Sequence, residues 1–301
     1  MKFKAFNVDF KNPVILASGP WWYGEEYFGK IDFQKLGGIT FKSLTKNERI
    51  GNPPPNILIE DFVVYNSVGL KNPGVEKFIK EIYPKFENMD TNLICSIAGH
   101  SEDEFLENLE KLNNLEKISL FELNLSCPNV EGGLFCYNKF SIKYIVENAK
   151  KITKKPIIVK FAPEGEILHF IEIALNSGSD IINLGNSPIG IKIDVENKKP
   201  YFHRVFCGYS GKAVKPLILK KVFETYKAFK CPIIGLGGIF DINDALEYIF
   251  AGAMFVSIGS AIYYDYKIPE KIVQDLENYL KKEGLESHLS LIGIATKSSS
   301  L

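Results

Sequence analysis

The sequence predicts an α/β protein that folds as a (β/α)8 TIM barrel, with a single domain over residues 1–301. Three observations support this prediction: eight short apolar runs, amphipathic helical patterns between several of them, and a chain of 301 residues. A barrel typically takes about 250 residues, so this length leaves room for two insertions. A doubly wound open sheet is the alternative, since periodicity does not show whether a sheet closes. The count of eight strands favours the barrel.

The eight apolar runs are predicted as strands because most of them are continuous rather than alternating. Continuous runs are typical of parallel strands that are buried on both faces of a sheet. In chain order the predicted strands cover residues 14–18, 38–42, 93–97, 118–125, 156–161, 180–184, 232–236 and 254–258.

Helices are predicted between or after these strands where apolar residues recur with helical spacing. The pattern is clearest in residues 166–176, where Ile167, Phe170, Ile171 and Ala174 share one helix face and Gly178 follows as a stop signal. The predicted helices cover residues 102–115, 141–151, 166–176, 215–229, 242–251 and 269–282.

Two insertions interrupt the regular alternation, after strands two and six. Each separates its strands by about fifty residues, which is uncommon in a compact domain unless the segment is functional. Both leave the carboxyl ends of strands, where barrel enzymes have their active sites. We expect little regular structure in either insertion.

Composition excludes several classes of protein. The 36 basic and 36 acidic residues balance, so the chain lacks the basic excess that nucleic-acid binding requires. No apolar run reaches the ~20 residues of a membrane span, and the amino terminus lacks the apolar core of a signal peptide. The five cysteines form no C-x-x-C pair, so neither a disulfide framework nor a metal site is indicated. A reduced, cytoplasmic setting is expected.

Glycine-rich segments at two strand ends suggest a phosphate site. Strand seven ends in Gly235-Leu236-Gly237-Gly238, and strand eight ends in Gly259-Ser260. Barrels often bind phosphate with the loops after these two strands, where glycines let backbone N–H groups approach the oxygens. The alternative is that the glycines only make tight strand-to-helix turns. Their occurrence at both strand ends favours phosphate.

Two lysines at strand ends suggest an anionic ligand. Lys42 ends strand two and Lys160 lies in strand five. A charge inside an apolar strand is costly unless it is paired, although a lysine at a strand end can also extend its ammonium to solvent. Two such lysines on one rim, near a phosphate site, favour an anionic ligand.

A thiol among amides follows strand four. Cys127 lies between Asn124 and Asn129, and Pro128 fixes the turn. A cysteine at this edge can act as base or nucleophile, although a small buried apolar side chain is the alternative. Further amide and hydroxyl groups occur at Asn66 and at Asn186-Ser187. The set suits a planar, polar, anionic substrate lying over a cofactor.

Together these segments resemble the class 1 dihydroorotate dehydrogenases, FMN-containing barrels of pyrimidine biosynthesis. The most specific motif is NLSCPN, because the glycine motifs alone fit many phosphate-binding barrels. The matching segments are residues 12–19 (NPVILASG), 66–74 (NSVGLKNPG), 124–129 (NLSCPN), 209–211 (YSG), 233–238 (IIGLGG) and 258–260 (IGS).

The resemblance implies FMN as cofactor, dihydroorotate and orotate as substrate and product, and a role for each matching residue. Cys127 takes the position of the base that removes a proton from C5, while a hydride passes from C6 to flavin N5. Lys42 contacts flavin and substrate, and Lys160 lies at the flavin N1/O2 edge. The other implied flavin contacts are Ala17, Ser18, Gly19, Ser43, Asn124, Ser210, Gly211, Gly237, Gly238, Gly259 and Ser260. The other implied substrate contacts are Asn66, Gly69, Leu70, Asn124, Asn129, Asn186 and Ser187.

One position departs from the family pattern: many relatives have Asn where this chain has Ser96. Serine is shorter, so we expect a flavin hydrogen bond there to be lost or mediated by water. Residues 130–137 (VEGGLFCY) are predicted as a mobile lid, with an ordinary loop as the alternative.

The resemblance also implies partners. We expect a homodimer, and an electron acceptor that is either fumarate or an iron–sulfur/FAD subunit that passes electrons to NAD⁺. The stretch GLKNPG resembles the second subclass, and a chain without a cysteine cluster would need such a subunit for any iron–sulfur relay.

Other readings of the sequence stay open at this point. Among flavin barrels, the alternatives are a dihydropyrimidine dehydrogenase and a dihydrouridine synthase. A different kind of enzyme would be a phosphate-binding barrel isomerase or aldolase that uses Lys42 or Lys160. The non-catalytic alternative is a barrel that binds a nucleotide.

Overall fold

Parallel strands close into a barrel in the order in which they follow one another along the chain. The structure, a computed structural model, describes residues 1–126 and 135–297. In these residues the strands are β1 (Phe3–Ala5), β2 (Val8–Phe10), β3 (Val14–Leu16), β4 (Gly38–Thr40), β5 (Ile57–Glu60), β6 (Val63–Asn66), β7 (Asn92–Ile97), β8 (Ile118–Asn124), β9 (Ile157–Phe161), β10 (Ile181–Leu184), β11 (Ile189–Ile191), β12 (Ile193–Asp194), β13 (Lys199–Pro200), β14 (Phe206–Ser210), β15 (Ile233–Leu236) and β16 (Phe255–Ile258).

The barrel consists of β3, β4, β7, β8, β9, β10, β15 and β16, and β16 pairs with β3 to close it. Each of the eight predicted apolar runs coincides with one of these strands to within two residues at either end. The predicted (β/α)8 barrel is confirmed. The continuous runs identified it because both faces of each strand are buried.

Six helices cover the outside of the barrel where helices were predicted. The helices of the described residues are α1 (Val75–Lys77), α2 (Glu102–Asn113), α3 (Lys139–Ile152), α4 (Leu168–Asn176), α5 (Lys215–Phe229), α6 (Ile242–Ala251) and α7 (Ile268–Lys282). Helix α6 begins where the Asp241 side chain accepts from the amides of Asn243 and Asp244. Between β3 and β4 the described chain forms only short 3-10 turns, at Glu25–Tyr27 and Phe33–Lys35.

The two insertions contain more regular structure than the sequence predicts. Strands β5 and β6 of the first insertion pair with β11 and β14 of the second in an antiparallel sheet of order β11-β14-β6-β5. Asn66 lies opposite Gly208 in this sheet. The expectation of little regular structure was therefore wrong. The partner strands lie far apart in sequence, and local periodicity does not reveal such long-range pairing.

The barrel interior changes from apolar to polar along its axis. At the amino ends of the strands, Phe3 and Phe10 of the β1–β2 hairpin pack on Phe255 with inward-facing isoleucines and Leu120. Side chains on one face of a strand alternate, so Glu122 and Asn124 lie on the same face of β8 as Leu120. Polar side chains consequently collect inside the barrel toward the carboxyl ends of its strands.

The part of the chain that the structure describes contains no helix that is long and apolar enough to cross a membrane.

Candidate active site

A large cleft of about 760 Å³ lies at the carboxyl ends of the barrel strands, with the antiparallel sheet of the insertions along its side. A second pocket of about 90 Å³ adjoins it beside the glycine loops after β15 and β16. Lys160, Asn186 and Ser210 border both spaces. The volume of the larger cleft falls in the range of small-molecule and cofactor sites.

The structure brings most of the predicted site residues together around these two spaces. The larger cleft is bordered by Ser18, Gly19, Lys42, Ser43, Asn66, Gly69, Leu70, Asn124, Lys160, Asn186, Ser187, Ser210 and Ser260. The smaller pocket adds Ala17, Gly237, Gly238 and Gly259. Gly211 borders neither space but lies beside the glycine loop, where its carbonyl would be 3.0 Å from a Cβ placed on Gly238. Cys127 and Asn129, and residues 130–134 of the predicted lid, lie outside the described residues.

The glycine loop after β15 has a backbone that other residues rarely adopt. Gly237 and Gly238 have φ values of 144° and 66°. A Cβ on Gly237 would lie 2.3 Å from Cδ1 of Ile218, so α5 packs directly on the loop. The Tyr248 hydroxyl donates to the carbonyl of Gly237 at 2.8 Å and fixes the loop from below. The result is a preformed backbone turn beside the smaller pocket.

Hydrogen bonds hold the polar side chains of the cleft in fixed positions. Asn124 Nδ2 donates to Ser43 Oγ at 2.9 Å, and Asn124 Oδ1 accepts from Ser126 Oγ at 2.9 Å. Asn186 Nδ2 in turn donates to Ser126 Oγ at 2.8 Å. These bonds orient the two amides on the floor of the cleft before any ligand arrives.

A hydrogen bond also joins the barrel to the antiparallel sheet. Asn66 Nδ2 at the end of β6 donates to Ser187 Oγ after β10 at 3.1 Å. Gly208 faces this pair, and a Cβ there would lie 2.7 Å from Cβ of Ser187. The predicted substrate groups of the two insertions therefore meet over the cleft.

The described lining of the cleft is electropositive. Lys42, Lys160, His203 and Arg204 border it, whereas no Asp or Glu occurs among the described residues that border either space. This arrangement favours an anionic ligand.

Two residues, one that borders the cleft and one that lies behind it, were not singled out as site residues from the sequence. The Lys42 ammonium lies 5.0 Å from the centre of the Trp22 ring, which borders the cleft. Glu122 is 2% exposed and lies behind Lys160, at 3.9 Å between Oε1 and Nζ. Glu122 could have been found, because it precedes Asn124 by two residues in a strand and so shares its face.

Ser96 is fully buried and does not border the cleft. Its hydroxyl lies 2.8 Å from both Glu122 Oε1 and Ser43 Oγ. The short side chain therefore connects two neighbours inside the barrel.

The described cysteines are all buried and unpaired. Burial raises the pKa of the Cys136 thiol to about 11 and also raises that of Cys207, which borders the cleft. These thiols stay neutral near pH 7. Within residues 1–126 and 135–297, no cluster of three or more His, Cys, Asp or Glu side chains could hold a metal ion.

Comparison with known proteins decides between the open readings. The family model described as dihydroorotate dehydrogenase matches residues 1–280. The chain belongs to the dihydroorotate dehydrogenase family. It is therefore an oxidoreductase of a flavin-dependent family. This membership excludes the isomerase, aldolase and non-catalytic alternatives.

Relatives named for two different electron acceptors are similar to this chain over nearly their full length. A dihydroorotate dehydrogenase B (NAD(+)), catalytic subunit, of Petrotoga mobilis is 40% identical and covers 97% of this chain and 98% of its own. An Aquifex aeolicus protein named dihydroorotate dehydrogenase A (fumarate) is 38% identical and covers 98% of both chains. A dihydroorotate dehydrogenase of Eimeria tenella, solved with ferulenol, shares the fold with a TM-score of 0.81 at 22% identity, over 97% of this chain and 88% of its own.

The residues of the site fit a flavin. The large cleft, which is lined by amides and lysines, adjoins the smaller pocket beside the glycine loops. A flat polar ring system that carries a phosphate requires both kinds of space.

Proposed function

We propose that this dihydroorotate dehydrogenase binds FMN and oxidises dihydroorotate to orotate in pyrimidine biosynthesis, with Cys127 as the base. The observation that carries the proposal is the division of the site into a wide electropositive cleft and a small glycine-lined pocket. A flavin with one terminal phosphate needs both parts.

The glycine loops hold the phosphate of FMN. Gly237, Gly238, Gly259, Ser260 and Ser210 line the smaller pocket. Residues Ala17 to Gly19 after β3 would lie along the flavin ring, and Lys160 would supply a positive charge at its edge, since these residues border the two spaces. When bound, FMN accepts the hydride that leaves C6 of dihydroorotate.

The cleft holds the substrate by its carboxylate and its ring amides. Asn66, Asn124 and Asn186 each border the cleft with a side chain that is already oriented by a hydrogen bond. Lys42 provides a cation for the carboxylate. Such preset donors lower the entropic cost of placing one face of the substrate ring over the flavin.

Cys127 accepts the proton from C5 as a thiolate. An ordinary thiol has a pKa of about 8.5, so we expect the rate of substrate oxidation to rise toward alkaline pH. Cys136 is unsuited to this role, since burial raises its pKa to about 11 and it has no exposed surface.

We further propose that electrons leave to NAD⁺ through an iron–sulfur/FAD subunit. The stretch GLKNPG and the relatives named as B (NAD(+)) catalytic subunits support this choice. Fumarate is the second candidate, because the Aquifex aeolicus relative is named for that acceptor. Acceptor assays with fumarate, and with NAD⁺ in the presence and absence of the added subunit, distinguish the two.

The chain acts as a homodimer. The antiparallel sheet and its β5–β6 turn expose several apolar side chains, including Ile59, Phe62, Ile189 and Ile191, which are each 45–64% exposed. Apolar groups clustered on one exposed sheet support an interface between copies.

Cofactor identity provides the direct test of this function. Mass spectrometry of the denatured, purified yellow protein is expected to release one FMN per chain. Release of FAD, or of no flavin, refutes the proposal.

A further inference from the structure

A buried carboxylate lies directly behind the lysine that the proposed function assigns to the flavin edge. Glu122 and Lys160 are inward-facing residues of the neighbouring strands β8 and β9, with 2% and 4% of their surfaces exposed. Glu122 Oε1 lies 3.9 Å from Lys160 Nζ. Lys160 borders both spaces of the site, whereas Glu122 borders neither. The lysine therefore faces the ligand and the carboxylate lies behind it.

Both oxygens of Glu122 are held by donors from other strands. Oε1 accepts from Ser96 Oγ of β7 at 2.8 Å, and Oε2 accepts from Asn183 Nδ2 of β10 at 2.6 Å. A buried carboxylate is tolerated when it is paired and its remaining lone pairs are satisfied. These bonds fix the position of the carboxylate relative to Lys160.

Lys160 lies between the site and Glu122, and this arrangement determines how the two charges act on a bound flavin. A fixed cation at the edge of a flavin favours reduction, because reduction adds electron density there. A carboxylate close behind that cation offsets part of its field, and the low-dielectric barrel interior screens the pair weakly. Glu122 therefore opposes the effect of Lys160 on the bound cofactor.

We propose that Glu122 is a positioning residue that tunes the flavin: it holds Lys160 in place and lowers the midpoint potential of the bound FMN by offsetting the lysine charge. A flavin held at lower potential passes electrons on more readily. This inference rests on the proposed function, because it takes FMN as the cofactor that Lys160 faces.

The test is spectroelectrochemical titration of the FMN-loaded protein at one pH. Glu122→Gln keeps the side-chain shape and is expected to shift the midpoint potential upward, by about tenfold or more in the equilibrium constant for flavin reduction. For a two-electron couple, tenfold is about 30 mV. Lys160→Met is expected to shift the potential downward, and the double variant is expected to return toward the wild-type value.

Glu172→Gln is the matched control, since it removes the same charge from an exposed position on α4 and is expected to leave the potential unchanged. An unchanged or lower potential in Glu122→Gln overturns the inference. If Glu122→Gln does not fold, the double variant should still have a higher potential than Lys160→Met, and equal values overturn the inference. Wild-type protein that carries no FMN refutes the proposed function instead, so the two failures are distinguishable.

Discussion

The ammonium of Lys42 lies 5.0 Å from the centre of the Trp22 ring, and both residues border the large cleft. A cation over an indole face is held by the ring quadrupole. The backbone contributes as well, since the Lys42 amide donates to the Trp22 carbonyl at 3.4 Å. Trp22 therefore helps to place the cation that we assign to the substrate carboxylate.

Replacement of Trp22 by Leu should weaken substrate use without removing the flavin. Loss of a cation–π contact is worth about 0.5–2 kcal/mol, so kcat/KM for dihydroorotate should fall about 2- to 30-fold. Lys71→Met is the control, because Lys71 lies over the same ring at 5.8 Å but does not border the cleft. Equal losses in both variants would argue against a role through Lys42.

Gly208→Ala should weaken orotate binding more than FMN binding. The added Cβ would lie 2.7 Å from Ser187 Cβ and 2.9 Å from Asn66 Nδ2, and so would separate that hydrogen-bonded pair. The loss of one such bond corresponds to about tenfold in the dissociation constant of orotate. Titration of the protein with orotate, followed by flavin absorbance, measures this dissociation constant. An unchanged constant would exclude the Asn66–Ser187 pair from substrate binding.

His288 should make stability depend on pH. It is fully buried beside Phe3, and burial lowers its pKa from 6.5 to about 4. The unfolded chain therefore binds a proton on His288 more readily than the folded chain does. The contribution of the neutral, buried imidazole to the free energy of unfolding is complete above pH 6.5 and is lost as pH falls toward 4. The loss amounts to about 1.4 kcal/mol per pH unit within that window.

Urea unfolding at pH 7.0 and 5.0 measures this dependence. His288→Gln should flatten it, whereas His169→Gln, at an exposed position, should leave it as in the wild type. A pH slope that is the same in all three proteins would show that His288 is not its source.

Ile191→Asp should convert the proposed homodimer to monomer. Ile191 is 48% exposed on the antiparallel sheet and does not border the cleft, so the active site is left intact. Burial of a carboxylate in an interface is costly unless it is paired. Light scattering at micromolar concentration gives the mass. A wild-type monomer would refute the dimer, and a dimeric variant would place the interface elsewhere.

The barrel could be predicted from the sequence, whereas the antiparallel sheet beside the cleft could not. Runs such as residues 156–161 are apolar throughout because helices cover one side of the strand and the barrel interior the other. In β11, by contrast, Ile189 and Ile191 are half exposed, and β11 pairs with β14 of its own insertion. The strands of the two insertions pair through β14 and β6, which lie far apart in sequence, and the local pattern of residues does not reveal that pairing.

The site could be predicted in part. Lys42, Asn124 and Lys160 were found because charge or amide groups are unusual at the ends of apolar strands. Trp22 was not found, since its importance depends on a lysine that only the folded chain brings near. Glu122 was missed although strand alternation places it on the face of Asn124.

Cys136→Ala should retain substantial activity. Its thiol is fully buried, and its amide donates to the Leu125 carbonyl through the backbone, which alanine preserves. The removal of one buried sulfur costs packing energy, so a lower melting temperature is expected. Anaerobic flavin bleaching by dihydroorotate should continue at nearly the wild-type rate, and a loss as large as that of Cys127→Ala would reassign the thiol chemistry.

The most direct test of the proposed mechanism is stopped-flow anaerobic reduction of the FMN enzyme by dihydroorotate, comparing wild type with Cys127→Ala. The variant should keep FMN and bind orotate, because neither depends on proton abstraction. Its flavin should bleach about 10²- to 10⁴-fold more slowly, the usual contribution of a general base. Cys127→Ser should be active mainly at higher pH. Rapid bleaching of Cys127→Ala at neutral pH would contradict the assignment of Cys127 as the base.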